Sequence, residues 1–249
     1  MYGHSDGTFG PPEELQPKEV VIVQGLHPFL VPGVRGLFDL NVWLDPEEEL
    51  KHGWKVQRDV AKRGYTREQV MTEIAAREPD VAAYIIPQRR FADLIVRFYR
   101  PEGSGPGDEY LSVRIVERAT LPQLNLEGVL GDSCEGVRLR QGEDADETVL
   151  EIHGTIDPMA VRRLEDRIWE HFDARHRHLR HLAPDQFGEF TDGVLRTHHT
   201  DPLAPVQLLL VHRILSAQKS MLLKVPLSVR EQMVHAQRRG EAVHDHTHV

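Results

Sequence analysis

Lys51, Lys55, Arg58 and Lys62 recur at i, i+4, i+7 and i+11, and Arg63 follows at the edge of the same stripe. On a helix, three-to-four spacing puts these cations on one face. Cations placed so closely repel one another unless an anion sits among them. A phosphate ester suits that role, because lysine supplies a point charge and arginine a bidentate fork. The other reading is a solvated helix face, softened by Asp59 and by Glu47, Glu48 and Glu49, and spacing alone does not decide between them. The sequence has no G-x-x-x-x-G-K-[ST] and no Gly-Lys pair, so it lacks the backbone cradle that holds nucleotide phosphates in many kinases.

The histidines offer a second chemistry. His171, His178 and His181 fall near one helical face, and His244, His246 and His248 alternate close to the C-terminus. A closed structural metal site needs Cys or His ligands on an ordered frame. Cys134 is the single cysteine and residues 241–249 read as a disordered tail, so these histidines read as solvated and no metal site is expected.

Elements must position the basic stripe. Val20–Val23, Asn41–Leu44 and Ala92–Val96 are nearly continuous apolar runs, the pattern of parallel strands covered on both faces. Asp45 reads as an N-cap, with Pro46 at N1 and three glutamates in the first turn, opening a helix that ends at Gly64. Thr66 and Gln69 form a capping box for a second helix, expected to stop near Glu78-Pro79. Residues 102–108 make a flexible break. Beyond it, Tyr110–Glu117, Gly136–Arg140 and Thr148–Ile152 alternate and suggest a small, mostly antiparallel sheet. Asp157-Pro158 then starts an amphipathic helix with Val161, Leu164, Ile168 and Phe172 on one face. Further helices are expected over Pro202–Lys219 and Ser228–Arg239, and Glu189, Asp192 and His198-His199 lie in a polar connection.

Composition bounds the rest. The 249 residues carry 30 basic and 39 acidic side chains, a net charge of −9 that argues against a general nucleic-acid binder. One cysteine excludes an intrachain disulfide and suits a reducing compartment. No signal peptide or bilayer-spanning segment is legible, so a cytoplasmic location and no membrane partner are expected.

The ordered blocks GLHP at 25–28, VRGLFDLNVWLD at 34–45, WKVQRDVAKRGYT at 54–66, REPD at 77–80 and IPQRRFAD at 86–93 resemble the phosphoribulokinase/uridine kinase family. The phosphoribulokinase branch is the nearer one. Tyr2, His4 and Gly7 echo a tyrosine–histidine–glycine segment of that family. The resemblance covers about the first hundred residues closely and the remainder loosely. It implies an α/β, P-loop-kinase-like parallel sheet, here lacking its N-terminal strand or strands. Residues 1–101 would form the truncated core, about 55–90 the helical lid, and 109–240 an appended α+β C-terminal region.

The implied activity is ATP- and Mg2+-dependent phosphorylation of ribulose 5-phosphate, a Calvin-cycle step. Lys55 matches the lysine that supports phosphoryl transfer, and Arg58 and Arg63 match arginines that hold the sugar phosphate and the transferring group. Lys62, Tyr2 and His4 fall on the substrate side. Gln24, Arg89 and Arg90 fall on the cofactor side, with Thr66 to Arg90 closing over nucleotide.

Two positions depart from the pattern. Gln24 stands where the family carries a glutamate at the strand end, and Ile86 where it usually carries an aspartate. An amide serves poorly against magnesium. The expected consequences are doubtful autonomous catalysis, and either a non-catalytic sugar-phosphate- or protein-binding relative or one half of a split kinase. With a central strand missing, Val20–Val23 would border a gap, so three outcomes are expected: direct pairing of the surviving strands, homo-oligomerisation, or a complementing polypeptide.

Overall fold

The computed structural model describes residues 2–3, 8–11, 14, 16, 18–104, 110–120, 125–130, 135–183, 187–191 and 196–224. A short antiparallel pair comes first, β1 (Tyr2–Gly3) with β2 (Thr8–Phe9), followed by the single turn α1 (Pro32–Arg35). Strand β3 (Val42–Leu44) leads into a helical hairpin, α2 (Glu48–Arg63) and α3 (Arg67–Asp80). The chain continues through β4 (Leu94–Tyr99), β5 (Ser112–Arg118), α4 (Leu126–Leu130), β6 (Val137–Gln141), β7 (Glu147–Ile152) and α5 (Pro158–Glu170). A small hairpin, β8 (Glu189–Thr191) with β9 (Thr197–His199), occupies the polar connection before α6 (Leu203–Lys224).

Five strands form one sheet in the order β3-β4-β5-β7-β6. Val42 to Leu44 run parallel to Leu94 to Val96, and every other pairing in the sheet is antiparallel. The result is a mixed α/β fold whose central sheet contains a parallel pair, consistent with a P-loop-kinase-like architecture. The antiparallel strands do not make a separate small sheet. Strand β4 pairs with β3 on one side and β5 on the other, so the sheet runs straight through the glycine-rich break.

The alternation read from the sequence explains the core. Val96, Ile115 and Leu150 lie side by side across β4, β5 and β7, as do Val113 and Ile152. Helix α5 turns Val161, Leu164 and Ile168 onto this face, α6 adds Val206 and Leu208, and Phe172 is buried beside them. Each such side chain contributes roughly 1.5–3 kcal/mol on burial. Asp157 caps α5 through its Oδ1, which accepts from the Met159 N–H at 2.6 Å.

Two local expectations need correction. Val20–Val23 is not a strand: the segment joins no sheet and its four side chains are exposed. A parallel strand is held by its neighbours' backbone groups, and β-propensity without a partner does not fix one. Asp45 does not cap α2, which begins after Glu47. The amides of Asp45 and Glu47 donate to the carbonyls of Val96 and Phe98, so sheet pairing holds the chain extended past β3. Helix α3 ends at Asp80, beside the expected Glu78-Pro79, and the chain continues through a π-helical turn at Val81–Ile85 and a 3-10 turn at Ile86–Phe91. Gly64 (φ 70°) and the Thr66–Gln69 capping box behave as read, with reciprocal bonds of 2.8 and 3.2 Å. His4, Gly7, Cys134, Asp192, the helix expected at Ser228–Arg239 and the tail 241–249 lie outside the described residues.

Candidate anion site on the helical hairpin

The basic residues of α2 gather around Asp59. Its side chain has no exposed surface, and three cations reach it: Lys55 Nζ at 2.9 Å, Arg58 Nε at 2.9 Å and Arg63 Nη1 at 3.2 Å. Lys55 and Arg63 stand four residues to either side, so both fall on the face that Asp59 occupies. Lys55 also lies 3.6 Å from Glu73 of α3, which ties the two helices together. Burial pushes the Asp59 pKa up, but hydrogen bonds and charge from Arg58 and Lys55 outweigh it and hold it at about 2. The carboxylate therefore stays ionised across the physiological range and orients its cations.

These cations are oriented without being spent. Three positive groups face two carboxylates, a net of +1, and Lys55, Arg58 and Arg63 remain 25, 44 and 46 % exposed. Arg58 gives Asp59 its Nε, which leaves its paired terminal nitrogens for a second anion. Such an arrangement can bind a phosphate group. Lys51 and Lys62 are exposed and stand outside the cluster, so the stripe divides: three of its residues converge and two do not.

The other sequence-derived positions sit elsewhere. Arg89 Nε is 3.4 Å from Asp45 Oδ2, which Arg97 approaches at 3.6 Å, and Arg90 lies over the Phe91 ring at 4.6 Å. Gln24 is exposed, and Tyr2 lies in β1. Among the described residues no group of His, Cys, Asp and Glu could hold a metal ion. With an amide at Gln24 and the Asp59 and Glu73 carboxylates engaged by cations, these described positions do not fit magnesium.

Sequence reasoning missed the residues that fix the frame. Gln88 is 1 % exposed and uses its whole amide. Its Oε1 accepts from the Phe29 N–H at 3.0 Å, while Nε2 donates to the carbonyls of Leu26 at 2.9 Å and Tyr84 at 2.7 Å. Arg118 Nη1 donates to the carbonyls of Arg89, Arg90 and Ala92 at 3.4, 3.1 and 3.0 Å, and its Nε pairs with Glu147 at 3.0 Å. One glutamine thus fastens the 26–29 loop to the helical turns that follow α3, and one arginine of β5 fastens the end of those turns to the sheet. Only a polar residue set between Pro87 and the arginines hinted at the first, and periodicity gave no signal for the second. No helix of the described residues is long and apolar enough to cross a membrane.

The α2–α3 hairpin lies within the part of the chain that matches a known family. The model of the phosphoribulokinase / uridine kinase family matches residues 1–102. A phosphoribulokinase of Synechocystis is 46% identical over 97 residues, 39% of this chain and 29% of its own. The chloroplastic phosphoribulokinase of Spinacia oleracea is 30% identical over 217 residues, covering 79% of this chain and 52% of that protein. A uridine kinase of Ligilactobacillus salivarius is 32% identical over 92 residues, 36% of this chain and 41% of its own. The chain spans about half, or less, of the length of the curated relatives it matches.

Proposed function

From a chain whose residues 1–102 are a phosphoribulokinase/uridine kinase family region, with kinship to phosphoribulokinases extending over most of the remainder, we propose a phosphoribulokinase-like protein that binds a sugar phosphate on the α2–α3 hairpin. Ribulose 5-phosphate is the ligand of choice, and the associated reaction is its ATP-dependent phosphorylation in Calvin-cycle carbohydrate metabolism. The observation that carries this reading is the convergence of Lys55, Arg58 and Arg63 on buried Asp59 with donor capacity to spare. Phosphoryl transfer depends on positioning and positive charge more than on covalent help, and this cluster supplies both for one reactant. Lys55, Arg58 and Arg63 then face the sugar phosphate, while Lys62, Arg89 and Arg90 lie outside this cluster.

A second reading is binding without turnover by this chain alone. Gln24 and the lack of a free carboxylate cluster among the described residues favour it, since magnesium and the triphosphate then need polypeptide from elsewhere. Two measurements on the purified chain decide between the readings. Calorimetric titration with ribulose 5-phosphate should show saturable binding that weakens at least tenfold in Arg58→Ala and Lys55→Ala. A coupled ADP-release assay with ATP and magnesium should show no turnover unless this chain suffices for catalysis. Turnover lost in both variants would overturn the second reading, and absence of any sugar-phosphate binding would overturn the first.

A further inference from the structure

Two carboxylates stand in the cluster on the helical hairpin, and their surroundings differ. Asp59 has no exposed side-chain surface and is wrapped by Lys55, Arg58 and Arg63, so a ligand cannot touch it. Glu73 of α3 is 40 % exposed, and its ion pair is a 3.6 Å approach to Lys55. That distance is longer than a hydrogen bond, and no donor among the described residues bonds its carboxylate. Glu73 is also held in place from behind. The Thr66–Gln69 box caps α3, the Tyr65 N–H donates to the Asp59 carbonyl at 3.4 Å, and Val70, one turn before Glu73, is fully buried. The hairpin thus fixes an acceptor with unused lone pairs beside a lysine of the anion site.

We propose that Glu73 reads the hydroxyl groups of the ligand, and so selects the monophosphate of a polyhydroxylated compound over inorganic phosphate and over a bisphosphate. The inference rests on the sugar-phosphate reading of the hairpin and adds the residue that recognises the sugar. A carboxylate accepts hydrogen bonds and donates none, so it needs donors from whatever lies against it. Hydroxyls carried next to a phosphate supply them, and bonds to a charged acceptor are the stronger kind. Inorganic phosphate engages the three cations but brings the Glu73 carboxylate little to accept. A second phosphate in the same place meets like charge. Three cations against two carboxylates leave an excess of +1, which one phosphate already neutralises, so no cation remains to answer another. Asp59 thereby organises the cations, and Glu73 limits what they accept.

Calorimetric titration of the full chain with ribulose 5-phosphate, inorganic phosphate and ribulose 1,5-bisphosphate reads this selectivity. The parent should bind ribulose 5-phosphate about tenfold more tightly than either of the others. Glu73→Leu removes acceptor and charge from a partly exposed helix position, so circular dichroism should remain that of the parent. Its affinity for ribulose 5-phosphate should fall about tenfold, while the other two ligands bind as well as before or better. Glu73→Gln keeps one acceptor without the charge. It should lose the discrimination against the bisphosphate and retain part of that against inorganic phosphate. A parent that shows no preference for ribulose 5-phosphate, or a preference that survives in Glu73→Leu, would overturn the role of Glu73 and leave the anion site standing. Loss of all three ligands in Glu73→Leu at unchanged circular dichroism would overturn it too, because Glu73 would then act only by positioning Lys55. A parent that binds none of the three would overturn the sugar-phosphate reading itself, and this inference with it.

Discussion

Asp59 holds three cations with one carboxylate, and its titration reports on the clamp. Its folded pKa of about 2 lies below the usual 3.8, so the folded state binds fewer protons than the unfolded chain in that interval. The stabilisation is complete above pH 3.8 and is lost as pH falls through about 2. Because the partners are a quarter to nearly half exposed, solvent screening reduces the contribution to about 1–2 kcal/mol. Urea unfolding from pH 5 down to 2 should show this fall in the parent protein and lose that part of it in Asp59→Asn. His212 titrates in the opposite chemical sense with the same pH sign. Burial first, then the charge of Arg213, push its pKa down to about 4, so it folds as the neutral ring against Phe172 at 5.1 Å. Between pH 6.5 and about 4 the unfolded chain takes up the proton that the folded one refuses, and stability declines as pH falls. His212→Leu should flatten the unfolding curve in that window, and an unchanged slope would contradict the assignment.

At the scale of elements, the joint between the 81–91 helical turns and the loop after Val23 rests on Gln88. Replacing it with leucine keeps the volume but strands the Phe29 N–H and the Leu26 carbonyl, at a cost of about 2–4 kcal/mol. Hydrogen exchange at the Phe29 amide should accelerate well beyond what global destabilisation produces, because this bond is local. Gln88→Glu retains the acceptor and should protect Phe29 better than Gln88→Leu does. This joint also marks where sequence reading ran out. The capping box at Thr66, the left-handed Gly64 and the apolar alternation of β5 and β7 are local signals, and the chain obeys them. Val20–Val23 carries an equally strong strand signal and is no strand, because a strand is completed by a partner that its own residues cannot specify. Asp45 failed as a cap for the converse reason: two amides committed to β4 overrode a favourable helix start. The convergence on Asp59 was half legible. The i+4 spacing put Lys55 and Arg63 beside it, but burial, which turns a softening charge into an organising one, appears only when α3 packs.

For the whole molecule, the question is what binds α6 to the central sheet. Glu117 stands in register with Val113 and Ile115 on β5, so its carboxylate enters the apolar core face that α6 covers. Arg213 of α6 answers it with a two-point bond, Nε to Oε1 at 3.1 Å and Nη2 to Oε2, with both residues almost fully buried. Pairs of this kind recover little net stability against their desolvation, yet losing one partner leaves a bare charge in the core. Arg213→Met alone should therefore cost about 3–5 kcal/mol, and Glu117→Leu a similar amount. The double variant should recover most of that loss, since Leu and Met fill the volume without an unpaired charge. Chemical denaturation of the four proteins forms a closed cycle, and a coupling energy below about 1 kcal/mol would mean the pair is not the tie it looks to be. Because α6 packs in the main core and the buried residues of α2, Leu50, Val56 and Asp59, lie outside it, the double variant should keep whatever affinity the parent has for ribulose 5-phosphate. A loss of binding at restored stability would show that the register of α6 reaches the hairpin through β5 and Arg118, making the two ends of the sheet one mechanical unit.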